Sequence, residues 1–276
     1  DNTTFCTAFL SDGSLLTIRD IPIVDLRDVD KIAFNPTGSS LALMRGKKPV
    51  SIYSFRDRNK KLFELKEQRK SKELKGRKNL NFFVPGPVGA ELMKDASKGD
   101  IVPVAMCYGA DARNFLVSNS LGEIIVYDTK AYLPQAYIQG KAVATAITMS
   151  PNNYFIAAGT GKNIDIWNFQ TKELRTSLPM PAEVTELVFS ADASQMAVVT
   201  ADKRLTIFDT KTWDKVDIFD KIGGTLTSPS FHPDGKYISV VKDGNAIVIM
   251  NLKNSVPEQT LDENPGGVTG SRFFVN

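Results

Sequence analysis

The chain of 276 residues carries one histidine, His232, and two cysteines, Cys6 and Cys107. These three side chains are its whole stock of imidazole and thiol groups. A His-ligated metal site needs two or more such ligands, and a nucleophile–His pair needs a reactive Ser or Cys beside the ring. His232 stands in the turn phrase Phe231-His232-Pro233-Asp234-Gly235, where no catalytic partner is suggested on that edge, and it reads as a turn residue. Cys6 and Cys107 lie far apart without a CxxC, each within an apolar stretch. They read as buried, unpaired thiols rather than a disulfide or zinc knuckle. Gly159-Thr160-Gly161-Lys162 lacks the GxxxxGK[ST] spacing and no helix follows, so it reads as a tight hairpin and not a phosphate loop. Asp128, Asn168, Asp209 and Asn251 close four different apolar stretches and read as turn caps rather than calcium ligands. Asn2-Thr3-Thr4 fits a glycosylation sequon, a three-residue match that arises often by chance. No cofactor and no metal are expected.

The elements that carry these residues repeat. An apolar alternating stretch, a Ser, Asn or His turn, a second apolar stretch, a polar turn, and an apolar-aromatic stretch closed by Asp or Asn recur along the chain. The clearest copy is VTELVFSADASQMAVVTADKRLTIFDT, residues 184 to 210, flanked by copies at 143 to 169 and 226 to 252. Weaker copies begin at Val102 and Val29. The anchors Tyr53, Tyr127, Trp167, Phe208 and Met250 stand 74, 40, 41 and 42 residues apart. Period-two alternation with β-branched and aromatic residues, broken by Asp, Asn, Gly and Pro, is a strand-and-turn signal. A period near 40 residues fits a four-stranded blade, so the expected fold is an all-β propeller. Six blades are recognisable, and the long first interval leaves room for a seventh. Residues 3 to 26 read as the second, third and fourth strands of a unit, with Leu16-x-Ile18-x-Asp20 matching Leu205-x-Ile207-x-Asp209. Residues 267 to 276 read as a first strand. Pairing the two would close the ring with one composite blade and remove two exposed edges. The chain is thus read as one propeller domain over 1–276 with an insertion at about 56–101.

The period and the phrases Ile166-Trp167-Asn168, Ile207-Phe208-Asp209, Val126-Tyr127-Asp128 and Phe231-His232-Pro233-Asp234-Gly235 resemble WD40 repeats. The resemblance covers nearly all of the chain outside 56–101. No repeat closes its third strand on Trp-Asp or opens on Gly-His, so the hydrogen-bond tetrad of that family is expected to be missing. The resemblance implies a non-enzymatic interaction platform.

The formal charge of +3 conceals an asymmetry. Residues 56–78 hold eleven Lys/Arg against four Asp/Glu, so this segment is +7 and the remainder −4. In a propeller the turns between second and third strands share an end with the connections between blades. These turns carry Arg45, Lys47, Lys48, Lys162, Lys203, Arg204 and Lys242 against Glu123, Asp202 and Asp243. The partner-binding candidates are therefore Arg45, Lys47, Lys48, Lys162, Lys203 and Lys242, with Lys60, Lys61, Lys70 and Lys72 of the insertion. A protein with an acidic surface is the expected partner. The basic segment also reads as a nucleic-acid or anionic-surface arm, or as a solvated loop whose lysines block edge pairing. A propeller enzyme would need carboxylates or histidines converging on the channel. The innermost strands offer Thr145, Ile147, Glu186, Val188, Ser228 and Ser230, which carry few ionisable groups. No apolar run is long enough for a membrane span. The start at Asp1 rather than Met reads as processing and leans toward a periplasmic or secreted setting, whereas unpaired cysteines lean toward a reducing one.

Overall fold

The alternating stretches pair as antiparallel ladders, and each repeat becomes one sheet. A computed structural model describes residues 29–54, 61–65, 101–262, 267–268, 270–271 and 273, together with the strands at 4–9, 15–21 and 81–83. β1 (Thr4–Phe9) and β2 (Leu15–Ile21) form a two-stranded sheet. Blade one is β3 (Lys31–Phe34), β4 (Ser40–Met44), β5 (Val50–Ser54) and β6 (Lys61–Leu65). A short strand, β7 (Asn81–Phe83), follows in the insertion. Blade two is β8 (Pro103–Tyr108), β9 (Asn114–Asn119), β10 (Glu123–Asp128) and β11 (Pro134–Gln139). Blade three is β12 (Ala146–Met149), β13 (Phe155–Gly159), β14 (Asn163–Asn168) and β15 (Leu174–Pro179). Blade four is β16 (Val184–Phe189), β17 (Gln195–Thr200), β18 (Arg204–Asp209) and β19 (Lys215–Phe219). Blade five is β20 (Leu226–Phe231), β21 (Tyr237–Lys242), β22 (Ala246–Asn251) and β23 (Val256–Leu261). Among the described residues there is no helix. The first strands β3, β8, β12, β16 and β20 touch in succession, which sets the five sheets in a propeller arrangement.

Strand periodicity decides which neighbour each side chain meets. On β10, Ile124 and Val126 enter one core with Ile147, Ile156 and Trp167 of blade three. Ile125 and Tyr127, one residue out of phase, enter another with Ala42, Val50 and Ile52 of blade one. Blade four does the same: Leu205 and Ile207 meet blade five, and Met196, Val198 and Phe208 meet blade three. The four cores are thus four inter-blade seams. Middle strands sit between two neighbours, and β9 is buried along its whole length.

Two turn types recur with the same backbone signature. At the turn from first to second strand, the N–H of Gly38, Ala112, Asn153, Ala193 or Gly235 returns to the carbonyl three residues earlier, and each of these residues has φ between +58° and +72°. At the turn from third to fourth strand, carboxylate or amide oxygens of Asp128, Asn168, Asp209 and Asn251 accept backbone N–H groups two residues on. Four residues past each stand Tyr132, Lys172, Trp213 and Ser255, all with positive φ. Three of these reach the preceding blade. Tyr132 packs on Phe63 with ring centroids 5.0 Å apart, Trp213 meets Phe155 edge-on at 5.2 Å, and the Ser255 hydroxyl donates to Asp217. The closing Asp and Asn residues are turn caps, as their sequence context indicates.

Three expectations change. Among the described residues the four-stranded blades number five, where six or seven are expected. The composite blade is not a ladder among the described residues: β1 and β2 pair with each other, and no described residue from 267 to 273 is in a strand. Phrase similarity detects a strand-like side-chain pattern, but a blade requires backbone pairing, which the pattern does not encode. The expected N-terminal strand after Ile21 lies outside the described residues. The insertion also does more than extend blade one. β7 pairs in parallel with β11, matching Asn81–Phe83 to Ala136–Ile138, and adds a fifth strand to the outer edge of blade two.

One seam is tight enough to test. A Cβ added to Gly159 on β13 would sit 2.7 Å from Cγ1 of Val184 on β16. G159A should therefore lose about 1–3 kcal/mol by overpacking. V184A in the same chain should recover part of that loss, because the clash disappears. Urea unfolding of the two single variants and the double variant measures the coupling.

Candidate functional site

The turns between second and third strands are not free loops. Each is tied to a connection between blades at the same end of the propeller. Val102 N–H donates to Ser120 Oγ at 3.0 Å, Gly140 N–H to the Gly122 carbonyl at 2.8 Å, and Val184 N–H to the Gly161 carbonyl at 2.9 Å. Thr225 N–H donates to Asp243 Oδ1 at 2.7 Å, and Gly46 N–H to the Asp30 carboxylate. Gly224, at φ +72°, has no room for a side chain beside that Asp243 carboxylate. Loops held this way present side chains from a fixed base.

This end carries most of the basic candidates. Lys47, Lys48, Lys162 and Lys203 are exposed on it, while Arg45 and Lys242 are half-buried and Arg45 is engaged in further contacts. Glu123, counted against them in the sequence, is 7% exposed and accepts from Asn119 Nδ2 at 2.7 Å, so its charge is withdrawn from the surface. The connections contribute charges that turn-by-turn reading overlooks. Lys141 and Lys221 are joined here by Asp30, Glu183, Asp220 and Asp262, all exposed. Basic residues still outnumber acidic ones, by a smaller margin. Arg204 is partly neutralised by Asp202 at 3.4 Å.

Lys61 is not brought to this end. It opens β6 opposite Tyr53, at the far end of the ladder from the 45–49 turn, and pairs with Glu64 at 2.8 Å. Lys60, Lys70 and Lys72 lie outside the described residues.

The channel mouth holds two charges, one of which sequence reasoning missed. Lys31 of β3 donates from Nζ to the Thr145 carbonyl at the start of blade three, at 3.0 Å. Glu186 of β16 accepts the Ser228 N–H of blade five on Oε2 at 2.9 Å. Burial pushes the Glu186 carboxyl above the usual carboxylate range, against the opposing pull of Ser228 N–H and the Lys31 charge. Burial likewise lowers the Lys31 ammonium, against the charges of Glu186 and Asp30. Desolvation outweighs charge pairing for both groups. The missed signal lay in the repeats: Val29-Asp30-Lys31-Ile32-Ala33-Phe34 aligns with Val184-Thr185-Glu186-Leu187-Val188-Phe189.

The remaining candidates resolve individually. His232 does have a carboxylate beside it, Asp234, with Nδ1 and Oδ1 2.7 Å apart. The Lys236 N–H, assisted by His232, holds the Asp234 carboxyl below its usual range. His232 also stacks edge-on against Phe273 at 4.8 Å and stands at a turn, as expected. Cys107 packs against the core shared by blades two and three, and burial pushes its thiol up to about 12. The side chain of Cys6 lies outside the described residues. Among the described residues no group of three His, Cys, Asp or Glu side chains converges as metal ligands, and no helix is long and apolar enough to cross a membrane.

No family model matches the chain. Curated relatives match part of it. One is Periodic tryptophan protein 2 homolog of Dictyostelium discoideum, 29% identical over 132 residues, covering 40% of this chain and 14% of the relative. Another is Echinoderm microtubule-associated protein-like 2 of Mus musculus, 26% identical over 98 residues, covering 36% of this chain and 15% of the relative. The chain thus spans about one seventh of the length of these relatives. Both are WD40-repeat proteins, in keeping with the propeller and the repeat phrases.

Two measurements probe the buried groups. A carboxyl whose folded pKa is raised stabilises the fold most at low pH and loses that contribution as pH rises through the folded pKa. Wild-type stability should therefore fall relative to E186Q between about pH 4 and pH 7, read from urea midpoints across that range. In a C6S background, native Cys107 should resist iodoacetamide at about pH 8 and react fully in denaturant.

Proposed function

We propose that the chain is a non-catalytic interaction scaffold that binds an acidic protein surface at the end bearing the second-to-third-strand turns. The observation that carries this reading is the set of hydrogen bonds pinning those turns to the inter-blade connections. They give exposed Lys47, Lys48, Lys162 and Lys203 a rigid base. Interaction scaffolding also accords with the WD40-repeat relatives. Among the described residues, the equivalent first-strand positions bring one carboxylate, Glu186, and one lysine, Lys31, rather than two acids, which favours binding over hydrolytic or lyase chemistry.

Ring closure belongs to the same proposal. Val268 N–H donates to the Gly244 carbonyl at 2.6 Å, as Val184 N–H donates to the Gly161 carbonyl between blades three and four. Phe273 N–H donates to Ser230 Oγ at 3.2 Å, and Ser271 Oγ lies 3.1 Å from Ser239 Oγ. In this reading the described residues 267, 268, 270, 271 and 273 follow β20 along the course of a further blade's first strand, for which β1 and β2 would supply the second and third. A second reading rests on the +7 carried by 56–78, which suits a nucleic-acid backbone.

The test uses three immobilised probes: polyglutamate, single-stranded RNA and duplex DNA, each titrated across salt. Reversal of Arg45, Lys47 and Lys48 to Glu should weaken polyglutamate binding about tenfold or more. Unchanged polyglutamate binding in that variant overturns the docking face. Tight, steeply salt-dependent RNA or DNA binding that survives the triple reversal, and is lost when 66–78 is neutralised, selects the nucleic-acid reading instead.

A further inference from the structure

The first strands place structurally equivalent residues around the channel. Counting back four from the turn residues Asn35, Gly109, Ser150, Ser190 and His232 gives Lys31, Ala105, Ala146, Glu186 and Ser228. The ladders bear out the equivalence, since Lys31, Ala105, Ala146 and Glu186 pair with Met44, Ser118, Gly159 and Val199 at matching steps. Gly270 continues the series: it stands two residues past Val268 as Glu186 stands two past Val184, and a Cβ there would meet Ser228 Oγ at 3.2 Å. Four of these six positions carry Ala, Ser or Gly. The two long side chains have opposite charge and come from blades one and four.

These two charges do not neutralise each other by contact. Lys31 bonds the Thr145 carbonyl and Glu186 bonds the Ser228 N–H, with no ion pair between them. An ammonium has three donors, and among the described residues Lys31 uses one. Oε1 of Glu186 accepts none of the hydrogen bonds found among the described residues. Ser228 itself sits at φ +51°, within the register shift between Thr227 and Ser230. A non-glycine residue in that region is held by its surroundings, and such positions cluster at ligand clamps and switches. Asp30, the other acid facing Lys31, is committed to Gly46 N–H.

We propose that Lys31 and Glu186 form a subsite for a formally neutral, dipolar group of the partner, an amide whose carbonyl faces Lys31 and whose N–H faces Glu186. The selection is electrostatic. A cation entering the mouth is attracted by Glu186 and repelled by Lys31, and an anion meets the reverse. An amide aligned along the pair is attracted by both. The partly buried setting strengthens such bonds relative to water. An Asn or Gln side chain of a docking protein supplies this group. The inference deepens the reading of this end as the docking face: the rim selects acidic residues and the centre selects an uncharged amide.

Three small probes of similar size separate the alternatives: propionamide, propylammonium and propionate, each titrated into the full chain at constant ionic strength. Propionamide should give saturable ¹⁵N–¹H shifts at the Thr145, Glu186 and Ser228 amides. K31M and E186Q should each weaken it roughly fivefold or more. The probe comparison on unaltered protein needs no variant, so it stands even if a substitution perturbs folding. Tighter saturable binding of either charged probe overturns the proposal, as does the absence of saturable propionamide shifts at these residues. Polyglutamate reads the rim lysines and propionamide reads Lys31 and Glu186, so the two tests use separate probes. Failure of the polyglutamate test therefore speaks against the docking face alone, and failure here against the amide subsite alone.

Discussion

Two-sided burial of every blade is the constraint from which the rest follows. A strand alternates its side chains between faces, and these repeats place apolar residues on both. A single such sheet leaves both apolar faces in water. Stacking sheets side by side removes that cost, and each seam becomes a core. Ile124 and Val126 on one side of β10, and Ile125 and Tyr127 on the other, belong to different seams for this reason. Close approach depends on small residues where sheets converge, as Gly159 against Val184 shows.

The seams need fixed turns, and the turns need left-handed residues. Tyr132 and Trp213 do two things at once: their backbones close the outer hairpin, and their rings cross into the preceding blade. Burying Tyr132 also requires a polar partner for its hydroxyl, which Tyr108 at 2.9 Å and Ser40 at 3.3 Å supply. The opposite end is held by backbone hydrogen bonds between turns and connections. The lysines there are presented from loops with a fixed base.

Electrostatics at that end are layered. Exposed lysines on the rim interact through water and are screened by salt. Glu186 is half-buried and Lys31 is exposed, and each bonds a different backbone group. Desolvation opposes both charges at these positions, whose equivalents in the other blades are Ala, Ser and Gly.

Repeat spacing, strand alternation and turn residues were legible in the sequence because they are local. The 40-to-42-residue period, the caps at Asp128, Asn168, Asp209 and Asn251, and the turn position of His232 all follow from neighbours along the chain. The exposed basic turns were legible too, since topology assigns them to one end. Blade number, the parallel pairing of β7 with β11, the withdrawal of Glu123 and the meeting of Lys31 with Glu186 were not. Each depends on pairing or proximity between residues far apart in sequence. Phrase similarity records which side chains a segment offers, whereas backbone pairing and desolvation depend on what lies beside it in space, and only the folded chain decides that.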